Sequence, residues 1–342
     1  MASDTAMRSR RRLAEAATVL SVVLSLLLTG TTQPADAAAR YRARHYELRE
    51  LPWQQRSNSG WYRLRIPPKQ PIDAHGIPMV RDGGVLSYPV GELSINGMRR
   101  LTRWRIRCEK RQLDQALAQA KKLRRLAIRQ GDTWWLPHGF DYAPLRLKAP
   151  WYDAMVQGLA LSFFVRLYDA TGSKVHLQAA DHVFRSFLVL GPGPRRWVGR
   201  VDRAGYLWLE HAPQSSLTRV LNAHMHTLFG LYEYWLATGS PRARRLLEGA
   251  ITTMEDHLRR YRRPGGTSLY SLSSGATKTN YHHIHVWQIR LLGAITGEPY
   301  FRRMGDRFAR DLPGPTSKRG APGYPAPPKP APCAAVTSTR SR

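Results

Sequence analysis

Three stretches of the sequence place groups that can give or take a proton beside aromatic rings. The first covers residues 151–158 (WYDAMVQG), where two aromatic residues open a predicted helix. The second is 208–213 (WLEHAP), which leads into a helix that contains 221–226 (LNAHMH). The third is Tyr270, a Ser/Gly/Thr-rich loop, and then 280–285 (NYHHIH). A carboxylate, phenols and imidazoles brought together by folding suit general acid–base catalysis.

Each stretch also has a purely structural interpretation. Trp151 and Tyr152 at the mouth of a helix can face a cleft, or they can form a hydrophobic staple and core contact. Glu210, held in a loop by Trp and Pro, can have a raised pKa and act as a base, or it can be a surface acid at a helix entrance. His282 and His285 share one helix face, but their spacing implies no third or fourth ligand, so we predict no metal site.

The elements that must position these residues are mainly helical. Apolar residues at three- and four-residue spacing predict helices from Gly91 onward, over about 110–129, 151–170, 174–190, 215–238, 241–261 and 283–296, with a short one near 298–310. Alternation with Gly and Pro over residues 52–90 predicts short strands or hairpins. Many antiparallel helices with functional loops at one end favour an α/α barrel (toroid) preceded by a small β-rich segment. A plain helical bundle would have the same periodicity.

The two ends of the chain differ from its middle. A basic start, an apolar run from about residue 13 to 28, and Ala35-Asp36-Ala37 predict a signal peptide over residues 1–37. An uncleaved membrane anchor is the alternative, and either one exports the body of the protein. We predict a linker and small β-rich region over 38–90, the helical domain over 91–311, and a disordered Pro/Ala-rich tail over 312–342.

Charge narrows the class of partner. The 342-residue chain carries 53 Lys and Arg against 24 Asp and Glu, a formal net charge of +29, which attracts nucleic acid, anionic lipid or acidic glycans. Nucleic acid has only charge in its favour, because no groove-reading motif is visible. The two cysteines, Cys108 and Cys333, indicate neither a disulfide framework nor a CxxC metal site. No Gly-rich dinucleotide fingerprint is present, so we predict no cofactor.

The ordered set WYDAMVQG (151–158), LNAHMHTLFGLYEYW (221–235) and YHHIHVWQIRLL (281–292) resembles the C-terminal domain of the D-glucuronyl C5-epimerases. The resemblance covers about residues 140–310, with weaker similarity near 88–90. Those enzymes convert glucuronic to iduronic acid units within heparosan-type polymers. Their catalytic domain is an α/α barrel preceded by β-structure, so the resemblance implies the same fold here.

The resemblance also implies roles for particular residues. Glu210 matches a family glutamate, Tyr281 a tyrosine before an H-x-x-H stretch, and Tyr270 an upstream tyrosine. The chain departs from the family at His211, where a tyrosine is usual, at Ser273, where an arginine is common, and at Ala223 in place of glycine. The predicted catalytic residues are Glu210, Tyr281, Tyr270 and His211, and the predicted substrate-binding residues are Trp151, Tyr152, Gln157, Asn222, His282 and His285.

Inversion at C5 removes a proton alpha to a carboxylate and returns one to the opposite face. It therefore needs a base, an acid and a cation that neutralises the carboxylate. We predict Glu210 and Tyr281 as that pair, with nearby cations lowering the pKa of the phenol so that it can serve as the base in reverse. His211 would carry a proton or bind the carboxylate, and Tyr270 would orient it.

Three other functions remain open from the sequence. A polysaccharide lyase begins with the same proton abstraction and then expels the 4-O-linked sugar. A glycoside hydrolase would need two opposed carboxylates, and only Asp153 stands as a poor second to Glu210. A non-catalytic binder of acidic glycans fits the charge and the aromatic residues.

In each case the expected partner is an acidic, uronic-acid-containing polysaccharide, with membrane contact only if the N-terminal segment is uncleaved. The sequence does not determine the oligomeric state, and a dimer is one of the states that it allows.

Overall fold

The computed structural model describes residues 41–57, 71–82, 85–194 and 196–312. Within these residues, eight α-helices form four consecutive helical hairpins. The pairs are α1 (Val90–Arg107) with α2 (Lys110–Leu126), α3 (Ala154–Thr171) with α4 (Lys174–Phe184), α5 (Leu221–Thr238) with α6 (Pro241–Tyr261), and α7 (Thr279–Thr296) with α8 (Pro299–Asp311).

The first helices of the hairpins form the inner layer of the fold. Helix α1 packs against α3, α3 against α5, and α5 against α7, while each second helix packs on the outside of its own partner. Helices α3 and α5 are apolar on almost every side and almost entirely buried, as inner helices must be. This layering is the α/α-toroid arrangement, and the mainly helical fold predicted from the sequence is confirmed.

Glycines let the inner helices α3 and α5 cross in close contact. A Cβ atom placed on Gly158 would lie 2.5 Å from the Cα atom of Thr227, and one placed on Gly230 would overlap the carbonyl oxygen of Gly158. Neither position can therefore take a larger residue without a shift of backbone. The crossing fixes the relative position of the two helices whose first residues border the site described below.

Short strands fill the connections between helices. Strands β1 (Val80–Asp82) and β2 (Val85–Ser87) form an antiparallel hairpin before α1, and β3 (Ile128–Gln130) and β4 (Thr133–Trp135) form another after α2. A three-stranded sheet joins β5 (Leu190–Gly191), β6 (Gly199–Val201) and β7 (Leu207–Leu209), with β5 parallel and β7 antiparallel to β6. Strand β7 is buried and leads directly into Glu210 and His211.

Residues 41–57, which we name the N-terminal strap, are mostly extended and pack along the helices. The backbone amide of Arg42 donates to the Gly205 carbonyl, and that of Arg49 donates to the Ile295 carbonyl. Arg44 pairs with Glu255 and Asp256 at 2.8 and 2.7 Å. The stretch expected as a linker is therefore part of the packed body in the residues described.

Most helix positions agree with the prediction, and the differences lie at the site. The helix expected from 215 begins only at Leu221, because residues 218 and 219 bind the Glu210 carboxylate. Helix α7 begins at Thr279 rather than 283, which places Tyr281 in its first turn. The helix expected over 174–190 ends at Phe184 and continues as a 3₁₀ turn over Arg185–Leu188.

The predictions for the two ends of the chain, a signal peptide over 1–37 and a disordered tail over 312–342, lie outside the described residues, apart from Leu312. Among the helices that are described, none is both long and apolar enough to cross a membrane.

Candidate active site

The first turns of three inner helices meet at one place. The amide of Ala154, at the start of α3, donates to the Glu210 carbonyl at 2.8 Å. The amide of Leu221, at the start of α5, donates to the Tyr270 carbonyl at 3.0 Å. Tyr281, in the first turn of α7, lies 4.8 Å from the Tyr270 ring between ring centroids. Helix N-termini carry partial positive charge, so their convergence favours an anion here.

Around this point lie eight residues that we call the Asp153 cluster. They are held by the segments that precede α3, by the loops that lead into α5 and α7, and by the first turn of α7. The members are His138, Tyr142, Trp151, Asp153, His211, Tyr270, Lys278 and Tyr281.

Asp153 is the buried centre of the cluster. Its side chain is 0% exposed; Oδ1 accepts from the amide of Val156 at 2.6 Å and so caps α3. Oδ2 lies 2.8 Å from His138 Nε2 and 3.5 Å from His211 Nδ1. Burial alone would raise the pKa of Asp153, but the hydrogen bond with His138 and the nearby imidazole of His211 hold that pKa well below its usual range. The carboxylate is therefore ionised and holds two imidazoles.

His211 is the imidazole of this group that can meet a ligand. Its Nδ1 is buried and faces Asp153, at a distance long for a hydrogen bond, while 18% of the side chain is exposed. Nε2 is thus the nitrogen left for a substrate. His138 makes the tighter contact with the carboxylate and stacks on Trp151 with ring centroids 3.7 Å apart. The Trp151 ring also meets His211 edge-on at 6.3 Å, so it fixes both imidazoles from one side.

Tyr270 and Tyr281 are half-buried phenols packed edge to face. Burial, and then Tyr281, Tyr142 and Asp153, raise the pKa of Tyr270; burial and Tyr142 raise the pKa of Tyr281. Both phenols are therefore protonated at neutral pH. This is the opposite direction to the lowering that we expected from nearby cations. A nearby cation, Lys278, is exposed and lies over the Tyr270 ring, with Nζ 4.4 Å from its centroid.

The carboxylate of Glu210 faces the loop before α5. It is fully buried; Oε2 accepts from the Thr218 amide at 2.5 Å and from the Thr218 hydroxyl at 2.7 Å, and Oε1 accepts from the Arg219 amide at 3.1 Å. Burial raises the pKa of Glu210 against the lowering effect of these bonds, as the sequence interpretation expected. This carboxylate therefore holds the loop before α5 in place.

Three of the predicted substrate-binding residues lie in the helical interior. Gln157 uses its whole amide within the protein: Oε1 accepts from the Leu136 amide, and Nε2 donates to the Trp134 carbonyl and to Ser186 Oγ. His282 links Ser268 to the Phe308 carbonyl. His285 is 0% exposed and bonds the Ser268 hydroxyl at 2.8 Å.

The other three predicted binding residues lie in or beside the cluster. Trp151 belongs to it, and its indole N–H donates to the Phe140 carbonyl at 2.8 Å. Tyr152 is 8% exposed, with the Arg196 guanidinium 5.3 Å from its ring centroid. Asn222, in the first turn of α5, has a buried Oδ1 with no hydrogen-bond partner among the described residues.

The structure also adds residues that sequence reasoning missed. His138 sits on the loop after β4, and its partnership with Asp153 depends on an isolated bridge between His138 and Trp151. Asp153 carried one usable signal, since an Asp directly before an apolar helical run is a typical N-cap. Lys278 directly precedes α7, three residues from Tyr281. Within the described parts of the chain, no group of three or more His, Cys, Asp or Glu is arranged to hold a metal ion.

Comparison with solved structures first defines the class of fold. The sugar epimerase from a ruminal bacterium superposes with a TM-score of 0.50 at 13% identity, over 78% of this chain and 72% of that one. The cellobiose 2-epimerase from Bacillus thermoamylovorans superposes with a TM-score of 0.49 at 12% identity, over 69% and 64%. At 13% identity, the likeness to the ruminal enzyme shows the fold alone: an α/α toroid, whose inner helices here present an acid–base cluster at one end.

Sequence comparison then gives the family. Residues 133–310 match the family described as D-glucuronyl C5-epimerase C-terminus, and the chain belongs to that family. It is 22% identical over 196 residues to the D-glucuronyl C5-epimerase of Caenorhabditis elegans, which covers 51% of this chain and 31% of the relative. The chain thus aligns with about a third of the relative's length. The matched region contains every residue of the Asp153 cluster.

Proposed function

We propose that the chain is an epimerase that inverts C5 of glucuronate units, giving iduronate, in an acidic polysaccharide. The observation that carries the proposal is the Asp153 cluster. A partly exposed imidazole faces a buried, ionised carboxylate beside two protonated phenols and a lysine. A base, acids and a cation at the N-termini of three helices are the groups that inversion next to a carboxylate requires.

In the proposed reaction His211 is the base. Asp153 orients the ring through Nδ1, so Nε2 takes the C5 proton, and the carboxylate stabilises the imidazolium that forms. The electron pair left on C5 spreads into the uronate carboxylate. This assignment replaces Glu210 as the base, because the Glu210 oxygens are buried and already accept three hydrogen bonds.

Tyr281 is the proposed acid. Its phenol O–H gives a proton to the opposite face of C5 and becomes a phenolate; exchange with solvent then restores both groups. Tyr270, in contact with Tyr281, shares that proton or orients the carboxylate. Lys278 neutralises the charge that grows on the uronate carboxylate, a role for which no cation was chosen from the sequence. No glycosidic bond breaks in this sequence of steps, which separates it from that of a lyase.

The test is proton exchange at C5 when the full chain meets heparosan in heavy water. Deuterium at C5 and iduronate are both measured by NMR, and absorbance is followed for an unsaturated uronate. The variants are His211→Asn and Tyr281→Phe, with His45→Asn and Tyr168→Phe as controls; His45 is 65% exposed at the surface, and Tyr168 lies on α3 outside the cluster.

We expect His211→Asn to slow exchange by about 100-fold or more. Tyr281→Phe should still exchange, because His211 can return a deuteron to the face from which it took the proton, but it should no longer give iduronate. Both controls should behave as the unmodified protein. An unsaturated product would instead indicate a lyase. No exchange on any uronate polymer would refute the epimerase proposal. Exchange that survives in His211→Asn, or iduronate formed by Tyr281→Phe, would refute the residue assignment.

The proposal also includes where the protein acts and what it binds. We propose export, as the basic and apolar N-terminal pattern predicts, and an acidic polysaccharide as the partner. Fractionation of cells that express the full chain tests the first of these. Protein found only in the cytoplasm would contradict it.

A further inference from the structure

A second basic feature lies beside the Asp153 cluster. It is an open depression of about 460 Å³, lined by three arginines (Arg200, Arg203 and Arg219), by Asp202 and by serines that include Ser215 and Ser273. Its volume is within the range of ligand-binding clefts. We name it the arginine depression.

The charges of the depression leave room for an anion. Asp202 is occupied: its Oδ2 accepts from the indole N–H of Trp208 at 2.9 Å and lies 3.2 Å from Arg219. Arg200 donates one Nη1–H to the Ser215 carbonyl at 2.7 Å. Arg203 makes no hydrogen bond or ion pair within the described part of the chain. Three guanidiniums against one carboxylate leave a formal charge of +2.

Two donors in the depression are buried without an acceptor. The Nε–H groups of Arg200 and Arg219 have no hydrogen-bond partner among the described residues. A buried donor left unpaired is costly, and a guanidinium most readily pairs with a planar carboxylate or with a sulfate. These two groups, together with the unpaired Arg203, point to an oxyanion ligand.

Two loops contribute to both the arginine depression and the Asp153 cluster. Residues 219–221 pair with residues 270–272: the Leu272 amide donates to the Arg219 carbonyl, and the Leu221 amide donates to the Tyr270 carbonyl. Ser273 is the third residue after Tyr270, a chain length of at most about 11 Å. A polymer with one sugar at Tyr270 can therefore reach the arginines with a neighbouring sugar.

We propose that the arginine depression is a subsite for an oxyanion of the same polymer close to the reacting uronate, either the sulfate of the adjacent sugar or the carboxylate of the next uronate. This subsite proposal rests on the proposed function, because the proposed function identifies the polymer. It also gives the net charge of the protein a specific location, beyond general attraction of polyanions.

The experiment measures the affinity of the full chain for heparosan oligosaccharides by calorimetry, in unsulfated and N-sulfated form, at about 0.15 M salt, where long-range attraction is screened. The variants are Arg203→Gln, which removes a side chain without contacts, and Arg200→Gln/Arg203→Gln. The matched control is Arg302→Gln/Arg303→Gln, which removes two exposed arginines from α8. Turnover is measured in parallel.

We expect the double variant in the depression to bind about tenfold more weakly, the loss of one charged hydrogen bond, and the control to change by less than about threefold. KM should rise with kcat unchanged, because the contact is the same in ground and transition states. Equal loss with both oligosaccharides assigns the carboxylate, and loss confined to the sulfated one assigns the sulfate.

An affinity that falls no further in the depression variants than in the control would overturn the subsite. Because binding is measured apart from turnover, the two proposals fail separately. Exchange at C5 with unchanged affinity removes only the subsite. Affinity that depends on Arg203 without any exchange leaves the subsite in place and removes the epimerase.

Discussion

Replacing Asp153 by Asn tests the core of the proposed chemistry. Asn caps a helix nearly as well as Asp, so α3 should keep its start. What the variant removes is the negative charge that faces His138 and His211. The imidazolium formed when His211 takes the C5 proton then lacks its counter-charge, and the amide can also turn the ring into the wrong tautomer.

The size of the effect follows from the geometry. A charge pair 3.5 Å apart interacts with about 5 kcal/mol at an effective dielectric constant of about 20. The Asn dipole and entering water recover part of this free energy. Since about 1.4 kcal/mol is a factor of ten in rate, we expect C5 exchange to slow by between about 100-fold and 1,000-fold.

The assay is the rate of deuterium incorporation into heparosan across a range of pH, with thermal unfolding as the test of folding. Asp141→Asn is the matched control, since Asp141 is 53% exposed and pairs only with Lys148 and a nearby amide. Acid stability gives a second readout. The folded Asp153 carboxylate binds a proton more weakly than the unfolded one, so it contributes stability above about pH 4 that is lost on acidification. Asp153→Asn should lack that loss.

A folded Asp153→Asn protein that exchanges within about threefold of the Asp141→Asn control would refute this reasoning. His211 would then act without the carboxylate, or the base would lie elsewhere. If Asp153→Asn fails to fold, Asp153→Glu serves as the second variant, because it keeps the negative charge and moves it. A slowed rate in that variant supports the orienting role, and an unchanged rate contradicts it.

Three further predictions concern the groups around the site. Glu210→Gln should lower the free energy of unfolding, measured in urea, by about 1–3 kcal/mol, because the glutamine N–H must face the backbone amide of Thr218 or Arg219. Unchanged stability together with lost C5 exchange would restore Glu210 as the base. Gly158→Ala should lower the free energy of unfolding by about 1–3 kcal/mol, because its methyl group would overpack against α5. Gly266→Ala, whose methyl group meets open space, should change the free energy of unfolding by no more than about 0.5 kcal/mol. Equal effects of the two substitutions would contradict the close crossing of α3 and α5. The phenolate absorbance of Tyr270, measured as the difference between the unmodified protein and Tyr270→Phe, should develop only above about pH 10. Because the folded state holds the Tyr270 proton more tightly than the unfolded state, Tyr270→Phe should lose less stability than the unmodified protein as the pH rises further. Titration of Tyr270 below pH 10 would contradict the burial of its phenol.

The sequence predicted the helices well because each buries a recurring apolar face. It also predicted that Tyr270 and Tyr281 act together, since the family resemblance placed both at the site. In the structure the two rings are in contact, with centroids 4.8 Å apart, although ten residues separate them along the chain; their joint role stays a prediction. Periodicity and motif order carry this information because they are local properties of the chain.

What the sequence did not predict depends on contacts between distant loops. Nothing around Glu210 shows that the amides of Thr218 and Arg219 will turn back to its carboxylate. The pairing of Asp153 with His138 joins a helix cap to the loop after a short strand, and neither motif implies the other. The arginine depression draws on three separate segments, so no single stretch of sequence announces it.

The N-terminal strap also bears on the order of folding. The strap is the first described part of the chain to leave the ribosome, yet its partners are made much later: the Arg44 amide donates to Thr252, 208 positions away, and the Arg49 amide donates to Ile295. Contacts of such separation form late and slow folding. While synthesis proceeds, Tyr46 and Leu51, both buried in the finished protein, have no surface to cover them. The chain must therefore be made at least as far as Ile295 before the strap can complete its docking.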